Sequence, residues 1–293
     1  MSRIVFNMGW DAKTAQELIS GCASESGEFE QRCFPDGETY LNVLSDVADR
    51  ECVLLINGVQ PDQQFLSWIY MAENLKELGA TSVGMLIPYL PYMRQDIRFK
   101  PGECVTSRHF AKLISASFDW LITTDPHLHR YDALSEIYSI PTRIVPAAPA
   151  IARWIKQSVD NPVIIGPDIE SQQWVQDVAS LVGCSYEVLL KERSGDRDVS
   201  VSLPKRADFK GFTPVLVDDI ISTGRTMANA VVNLIQCDMK APVCIGVHPL
   251  FSDDCIALLK ESGAQQVVSC NTLNHPSALI QLTEDWTEAL SNQ

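Results

Sequence analysis

The chain has 293 residues, of which 46% are hydrophobic, and this content predicts a globular protein with one large domain or two of common size. Its 23 Lys and Arg residues against 37 Asp and Glu residues give a net charge of −14. A chain this acidic lacks the basic surface needed for sequence-independent nucleic-acid binding, so no nucleic-acid partner is expected.

Short apolar runs alternate with longer helical patterns along the whole chain. The predicted strands are 3–7, 52–57, 83–88, 119–124, 163–166, 186–190, 214–218, 243–247 and 266–270. The clearest predicted helix is 62–78, where apolar residues recur at the i, i+3, i+4, i+7 spacing of one helix face. Repeated β–α alternation predicts an α/β protein with mostly parallel sheets, and the strand number favours two sheets of four or five strands.

A Pro- and Ala-rich segment at 141–149 is the expected division between two domains. We assign residues 1–145 to an N-terminal domain and 146–293 to a C-terminal domain, because a new strand–turn–helix order begins at Pro162. Each domain has a predicted strand that ends in an acid, at Asp125 and at Asp218. Ligands of doubly wound sheets gather at the carboxyl ends of strands, so both ends are candidate sites.

Two motifs in the first domain suit either turns or a nucleotide site. The segment Phe34–Glu38 (FPDGE) precedes an alternating stretch, which is typical of a hairpin turn built on Asp-Gly. The segment Arg94–Asp96 (RQD) follows the predicted strand 83–88. A guanidinium suits phosphate, and an amide and a carboxylate suit a base or a ribose. A solvated polar loop is the alternative for this second motif.

Histidines and acids follow two other predicted strands. His127 and His129 come directly after Asp125, a position that suits a metal ion or phosphate, although a histidine is more often structural. Two imidazoles and one acid are also compatible with zinc, but no further strong ligand lies close in sequence. Asp168 follows the strand 163–166, and the next residues, Glu170 and Ser171, suit helix capping.

Lys191 and Arg193 belong to the polar, glycine-containing stretch 191–198, which we expect to be mobile. Two cations on such a loop suit closure over a transferring phosphate group, and they equally suit a solvated turn. Residue types alone leave both interpretations open.

The run Val215–Thr226 is the most informative part of the chain. Three apolar β-formers end in Asp218 and Asp219, a turn of small residues follows, and a helical pattern begins near Met227. Backbone N–H groups at a helix N-terminus bind a phosphate monoester, whereas the two carboxylates suit sugar hydroxyls or Mg²⁺ on them. The run therefore predicts a site for a phosphorylated ribose, with an ordinary capped strand–turn–helix as the alternative.

Cysteine usage and hydropathy indicate the compartment. Nine cysteines are scattered along the chain without a CxxC pair, which favours reduced thiols over a disulfide framework. No apolar run approaches the ~18 residues of a membrane span, and the N-terminus has no signal-peptide pattern. We therefore expect a soluble cytoplasmic protein with no membrane partner.

In this order, the motifs resemble those of the ribose-phosphate pyrophosphokinases, also called PRPP synthetases. The resemblance runs from Phe34 to the Asn271-Thr272 region. The loop after Asp218 alone is shared with the phosphoribosyltransferases, whereas the first-half motifs are specific to the pyrophosphokinases. The other segments that match are Phe99–Glu103, Asp125–His127, Ala147–Pro149, Pro167-Asp168, His248 and Phe251-Ser252.

The resemblance implies two type I phosphoribosyltransferase-like α/β domains, each a mostly parallel sheet flanked by helices. It implies transfer of the β,γ-diphosphoryl group of ATP to the anomeric hydroxyl of ribose 5-phosphate, which gives 5-phosphoribosyl 1-diphosphate (PRPP) and AMP for nucleotide biosynthesis. It also implies Mg²⁺ as cofactor. A homodimer or larger homo-oligomer is expected, because a neighbouring subunit often supplies adenine-side residues in this family.

The family's site residues carry over where the motifs match. The ATP-binding set is Phe34, Asp36, Glu38, Arg94, Gln95, Asp96 and His127. The ribose 5-phosphate set is Asp218, Asp219, Ser222, Thr223, Gly224, Arg225 and Thr226. His127 and Asp168 match magnesium-linked positions, and Lys191 and Arg193 match the catalytic pair of the flexible loop.

Two departures from the family pattern leave alternatives open. Arg225 stands where a second glycine is common, and Glu192 lies between the two catalytic cations. They leave room for a catalytically silent or substrate-shifted relative. A phosphoribosyltransferase that consumes PRPP is a further alternative, but it usually has an acid at the position of Ser222 and a base-recognition segment. The complete first-half motif set favours the diphosphokinase.

Overall fold

A computed structural model describes residues 2–189, 191–193, 199–201, 209 and 211–293, with the backbone alone described at 191–193 and 199–201. The chain divides into two compact units. One comprises Met1–Val145 together with Thr283–Gln293, and the other comprises Pro146–Leu282.

The first unit is built on a six-stranded parallel sheet. The strands of the whole unit are β1 (Arg3–Met8), β2 (Glu25–Ser26), β3 (Phe29–Cys33), β4 (Thr39–Val43), β5 (Glu51–Ile56), β6 (Ser82–Leu86), β7 (Trp120–Thr124) and β8 (Thr142–Val145). The sheet has the order β2-β1-β5-β6-β7-β8, while β3 and β4 form a separate antiparallel hairpin. Residues 52–56 of β5 are all buried, as expected for a parallel strand covered on both faces.

Three helices lie in the N-terminal part of this unit: α1 (Ala12–Gly21), α2 (Pro61–Glu77) and α3 (Thr106–Ser117). The periodicity that predicts a helix over 62–78 is confirmed by α2, whose Trp68, Met71 and Leu75 are fully buried. Hydrophobic burial of this face fixes α2 on the sheet, and each such side chain contributes about 1.5–3 kcal/mol.

The second unit repeats the architecture. Its strands are β9 (Pro162–Gly166), β10 (Tyr186–Val188), β11 (Lys191–Arg193), β12 (Val199–Val201), β13 (Thr213–Ile221), β14 (Val243–Pro249), β15 (Gln266–Cys270) and β16 (Ala278–Ile280). Six of them form a parallel sheet in the order β10-β9-β13-β14-β15-β16. The flanking helices are α4 (Ala148–Ser158), α5 (Gln172–Val182), α6 (Arg225–Gln236) and α7 (Cys255–Glu261).

All nine predicted strands are present, but the prediction of four or five strands per sheet is wrong, because each sheet has six. The additional sheet strands are β2, β8 and β16. They have only two, four and three residues and are mostly exposed or half-buried, so they are too short for a periodic apolar pattern to be detected.

The C-terminal helix corrects the assignment of 146–293 to one domain. Helix α8 (Thr283–Ser291) packs in the first unit, against α1 and β8. Arg3 of β1 donates to the Leu290 carbonyl at 2.7 Å, and Arg143 of β8 donates to the Ala289 carbonyl at 2.9 Å. These cations satisfy carbonyls at the helix C-terminus, where an α-helix has no internal donors left and its dipole favours positive charge.

Among the residues that the structure describes, no helix combines the length and the apolar character that a membrane crossing requires.

Candidate functional site

Strand β13 presents two adjacent carboxylates near its carboxyl end. The strand was predicted to stop at Asp218, but it continues to Ile221 because β14 is long enough to pair with it. Asp218 lies opposite Gly246, and Ile221 lies opposite Pro249. Asp218 is half-buried and Asp219 is 4% exposed, so both acids are held on a rigid strand rather than on a loop.

The residues after β13 form a tight turn into α6. Gly224, which has no side chain with which to cap the helix, precedes it with φ +72°. The amide of Ser252 donates to the Ser222 carbonyl at 3.1 Å, which ties the turn to the segment after β14. Ser222 and Thr226 are half-buried, while Thr223 and Arg225 are exposed. Uncapped amides at a helix N-terminus suit an anion such as a phosphate monoester.

Gly224→Ala is expected to cost about 1–3 kcal/mol of unfolding free energy, because alanine is strained at positive φ. A Cβ at this position also lies 2.6 Å from the Sγ of the buried Cys255. Gly183→Ala is the matched control, since Gly183 has φ +84° and nothing within 4 Å of the added Cβ. Urea denaturation should therefore show the larger loss at Gly224. Equal losses for the two variants would contradict a steric role for Cys255.

Asp168 follows β9, the strand that pairs with β13 in the same sheet. Its carboxylate accepts the Glu170 amide at 3.1 Å and so caps a short 3-10 helix, Ile169–Ser171. The Ser171 hydroxyl donates to the Asp168 carbonyl at 2.6 Å. The cap predicted at Glu170 and Ser171 is thus supplied by Asp168. Asp168, Asp218 and Asp219 therefore lie at one edge of one sheet, where parallel strands end.

Lys191 and Arg193 are in β11, which pairs antiparallel with β12. The stretch 191–198, which was predicted to be mobile, has strand backbone at 191–193, and its remaining residues, 194–198, lie outside the described residues. Its mobility stays a prediction. Alternate positions of a strand belong to opposite faces, so positions 191 and 193 share one face and position 192 belongs to the other.

The first unit presents Phe34, Asp36 and Glu38 at the tip of the β3–β4 hairpin, as the Asp-Gly pattern predicts. Gly37 has φ +93°, and its amide donates to the Phe34 carbonyl at 2.9 Å. The Arg32 guanidinium lies over the rings of Phe34 and Tyr40, at 4.7 and 4.2 Å from their centroids. The tip is ordered by this stack although Phe34, Asp36 and Glu38 are all exposed.

The segment Arg94–Asp96 follows β6 and is held from several sides. The Thr106 hydroxyl donates to the Gln95 side-chain oxygen at 2.9 Å, and the Tyr131 hydroxyl donates to the Asp96 carbonyl at 3.1 Å. Arg94 is exposed, Gln95 half-buried and Asp96 5% exposed. The structure therefore favours a fixed segment that presents Arg94 to solvent, rather than a solvated loop.

Tyr92 adds a further constraint on this segment. It has φ +65°, which is uncommon for a residue with a side chain, and its hydroxyl donates to the Asp62 carboxylate. Burial, together with that carboxylate, raises the pKa of Tyr92 to about 12, so the phenol keeps its proton at neutral pH. The backbone strain is thus maintained by a side chain anchored at the start of α2.

His127 lies in the loop after β7, the neighbour of β6 in the sheet. Asp125 and His127 have φ values of +31° and +54°. The rings of His127 and His129 are 4.0 Å apart and nearly perpendicular, and both residues are half-buried. Non-glycine residues at positive φ are strained and persist only where the surrounding contacts hold them in place. Such residues cluster at functional sites.

The residues that support these segments were not predicted from the sequence. Thr106, Tyr131 and Asp62 make their contacts across 11, 35 and 30 positions of the chain. No local pattern predicts contacts at such separations. The nearest signal is that Tyr131 lies four residues after His127.

Family models match both halves of the chain. Residues 4–117 match the N-terminal domain of ribose phosphate pyrophosphokinase. Residues 137–286 match the phosphoribosyl transferase domain.

Curated relatives are similar over most of the chain. A ribose-phosphate pyrophosphokinase from Methanothermobacter thermautotrophicus is 36% identical over 83% of this chain and 84% of its own length. One from Methanopyrus kandleri is 30% identical over 99% of both. The crystal structure of phosphoribosylpyrophosphate synthetase from Mycobacterium smegmatis has the same fold. It has a TM-score of 0.86 and 22% identity, over 100% of this chain and 99% of that one.

Proposed function

The chain belongs to the ribose-phosphate pyrophosphokinase family, and on that premise we propose that it makes PRPP and AMP from ATP and ribose 5-phosphate. One observation supports this function above all. Residues 4–117 match the N-terminal domain of pyrophosphokinases, which a phosphoribosyltransferase that consumes PRPP does not need. Such a transferase is therefore not favoured.

Ribose 5-phosphate is bound by the second unit in this proposal. Its phosphate accepts hydrogen bonds from the backbone amides of the turn Ser222–Thr226, at the start of α6, where Gly224 provides no side-chain cap. Asp218 and Asp219 accept hydrogen bonds from the sugar hydroxyls, since carboxylates repel phosphate and are strong acceptors for hydroxyl groups. The support is their rigid placement on β13, directly before that turn.

ATP is bound by the first unit, through Arg94, Gln95, Asp96 and His127. Exposed Arg94 suits a phosphate, and the fixed amide and carboxylate beside it suit the base or ribose. Phe34, Asp36 and Glu38 would serve the adenine side of a second copy's site, because their ordered hairpin tip is exposed. The active species in this proposal is a homodimer or larger homo-oligomer.

Lys191 and Arg193 are the proposed catalytic residues. The anomeric oxygen of the sugar attacks the β-phosphorus of ATP, the bond from that phosphorus to the α,β-bridging oxygen breaks, and AMP leaves. The hydroxyl proton goes to solvent. Phosphoryl transfer depends on positioning the reactants and on stabilising the charge that develops at phosphorus. In this proposal, the two cations stabilise that charge.

Mg²⁺ is the proposed cofactor, and the oxygen-rich edge of the second sheet fits it. Asp168, Asp218 and Asp219 offer the hard carboxylate oxygens that Mg²⁺ prefers, whereas the nitrogen donor of His127 fits it less well. When bound with the phosphates, Mg²⁺ neutralises part of their charge. A cytoplasmic location is proposed because all nine cysteines are free thiols.

Phosphorus-31 NMR of the protein with Mg²⁺, ATP and ribose 5-phosphate tests the function. We expect AMP and a new diphosphate ester on the sugar, which together establish cleavage between the α and β phosphates. Unchanged ATP with either ligand still bound would instead indicate a silent or substrate-shifted relative. Arg225→Gly and a Glu192 substitution are then the first variants to test.

A further inference from the structure

Tyr131 joins the two segments of the first unit that the proposed function assigns to ATP. Its hydroxyl donates to the carbonyl of Asp96 at 3.1 Å in a buried position. Asp96 ends the Arg94–Asp96 segment, and Tyr131 lies in the loop that contains His127. A buried carbonyl without a hydrogen-bond donor costs free energy, so the Asp96 carbonyl favours the arrangement in which Tyr131 reaches it. The hydrogen bond therefore fixes the distance between the two segments.

Arg108 extends this connection into α3. Its Nε donates to the Tyr131 hydroxyl oxygen at 3.1 Å, so the hydroxyl accepts from a cation and donates to a carbonyl. A hydrogen bond that a charge polarises in this way is strengthened by its neighbour. Arg108 lies in the first turn of α3. The hydrogen bonds from Arg108 to Tyr131 and from Tyr131 to Asp96 therefore begin on a helix.

The same turn of α3 holds the residue before Asp96. The Thr106 hydroxyl and the Ser107 amide donate to the side-chain and backbone oxygens of Gln95, at 2.9 and 3.4 Å. On the other side, the Glu136 carboxylate accepts the amides of Asp132 and Ala133 at 2.6 and 3.2 Å. The two residues that follow Tyr131 are therefore held by Glu136, while Tyr131 itself is held at its hydroxyl.

We propose that Tyr131, polarised by Arg108, is a positioning residue for ATP binding that locks the His127 loop to the Arg94–Asp96 segment. The proposal rests on the proposed function for its choice of ligand. Its physical basis is separate, since an ATP site split between two loops binds well only if their separation is preorganised.

Tyr131→Phe tests this role, with Tyr138→Phe as the matched control. Tyr138 is 2% exposed, and its hydroxyl has no hydrogen-bond partner among the residues described here. Both variants remove one buried phenol oxygen from the same unit, but only the first removes the contact with Asp96. We expect Tyr131→Phe to raise the KM for ATP by about tenfold. The KM for ribose 5-phosphate should match that of Tyr138→Phe. The thermal midpoint of Tyr131→Phe should be the lower of the two, because only this variant leaves the buried Asp96 carbonyl without its donor.

Calorimetric titration with a non-hydrolysable ATP analogue separates positioning from catalysis. If wild-type protein makes PRPP but the two variants have the same ATP KM and analogue Kd, the positioning role is overturned and the function stands. If wild-type protein binds the analogue without turnover and only Tyr131→Phe weakens binding, the function fails and the positioning role stands. Arg108→Leu added to Tyr131→Phe should cause little further loss, because the two residues act through one contact.

Discussion

Lys191→Ala is expected to lower turnover by roughly 10²-fold or more, the effect of losing one preorganised donor to a developing charge. The KM values for ATP and ribose 5-phosphate should change much less, because the interaction is needed mainly in the transition state. Steady-state kinetics with both substrates varied measures the two effects separately. Arg193→Ala should behave in the same way, since positions 191 and 193 share one face of β11.

Two comparisons make the Lys191 result specific. Lys156→Ala removes an exposed lysine from α4, with the same change in net charge, and should leave turnover unchanged. Lys191→Arg keeps the charge and should recover part of the loss, although a planar guanidinium does not replace a compact ammonium fully. Near-normal turnover of Lys191→Ala would remove the residue from the catalytic pair.

Trp286→Ala is expected to cost about 3–5 kcal/mol of unfolding free energy, the usual range for truncating a fully buried tryptophan. The side chain is 0% exposed and packs edge-to-face on Trp10 at 5.4 Å between ring centroids. Its Nε1 also donates to the Thr124 hydroxyl at 2.9 Å, at the end of β7. Urea denaturation followed by circular dichroism gives the change directly.

The loss at Trp286 should depend on burial rather than on residue type. Trp154→Ala truncates a half-buried tryptophan on α4 and should cost clearly less. Trp286→Phe retains most of the volume but leaves the Thr124 hydroxyl without this donor, so an intermediate loss is expected. A Trp286→Ala protein as stable as Trp154→Ala would show that α8 contributes little to the first unit.

Local patterns predicted those helices and strands in which the apolar residues recur at the same spacing as the buried positions. Helix α2 shows its apolar face at helical spacing, and β5 is buried along most of its length, so both are evident without any knowledge of neighbours. Edge strands such as β2 and β16 lack this signal because solvent covers part of them. The end of β13 was misplaced for a related reason, since the ladder with β14 extends past the polar Asp218 and Asp219.

The sequence by itself determined the α/β class, the family and the motif order, because these depend on apolar periodicity and on residue types at short spacings. Only the tertiary structure decided that α8 belongs to the first unit and that Tyr131 bonds Asp96, 35 positions away. Such contacts form between segments that are each compatible with many partners. Complementary surfaces and buried polar groups that must be paired select among those partners, and both exist only once the chain has folded.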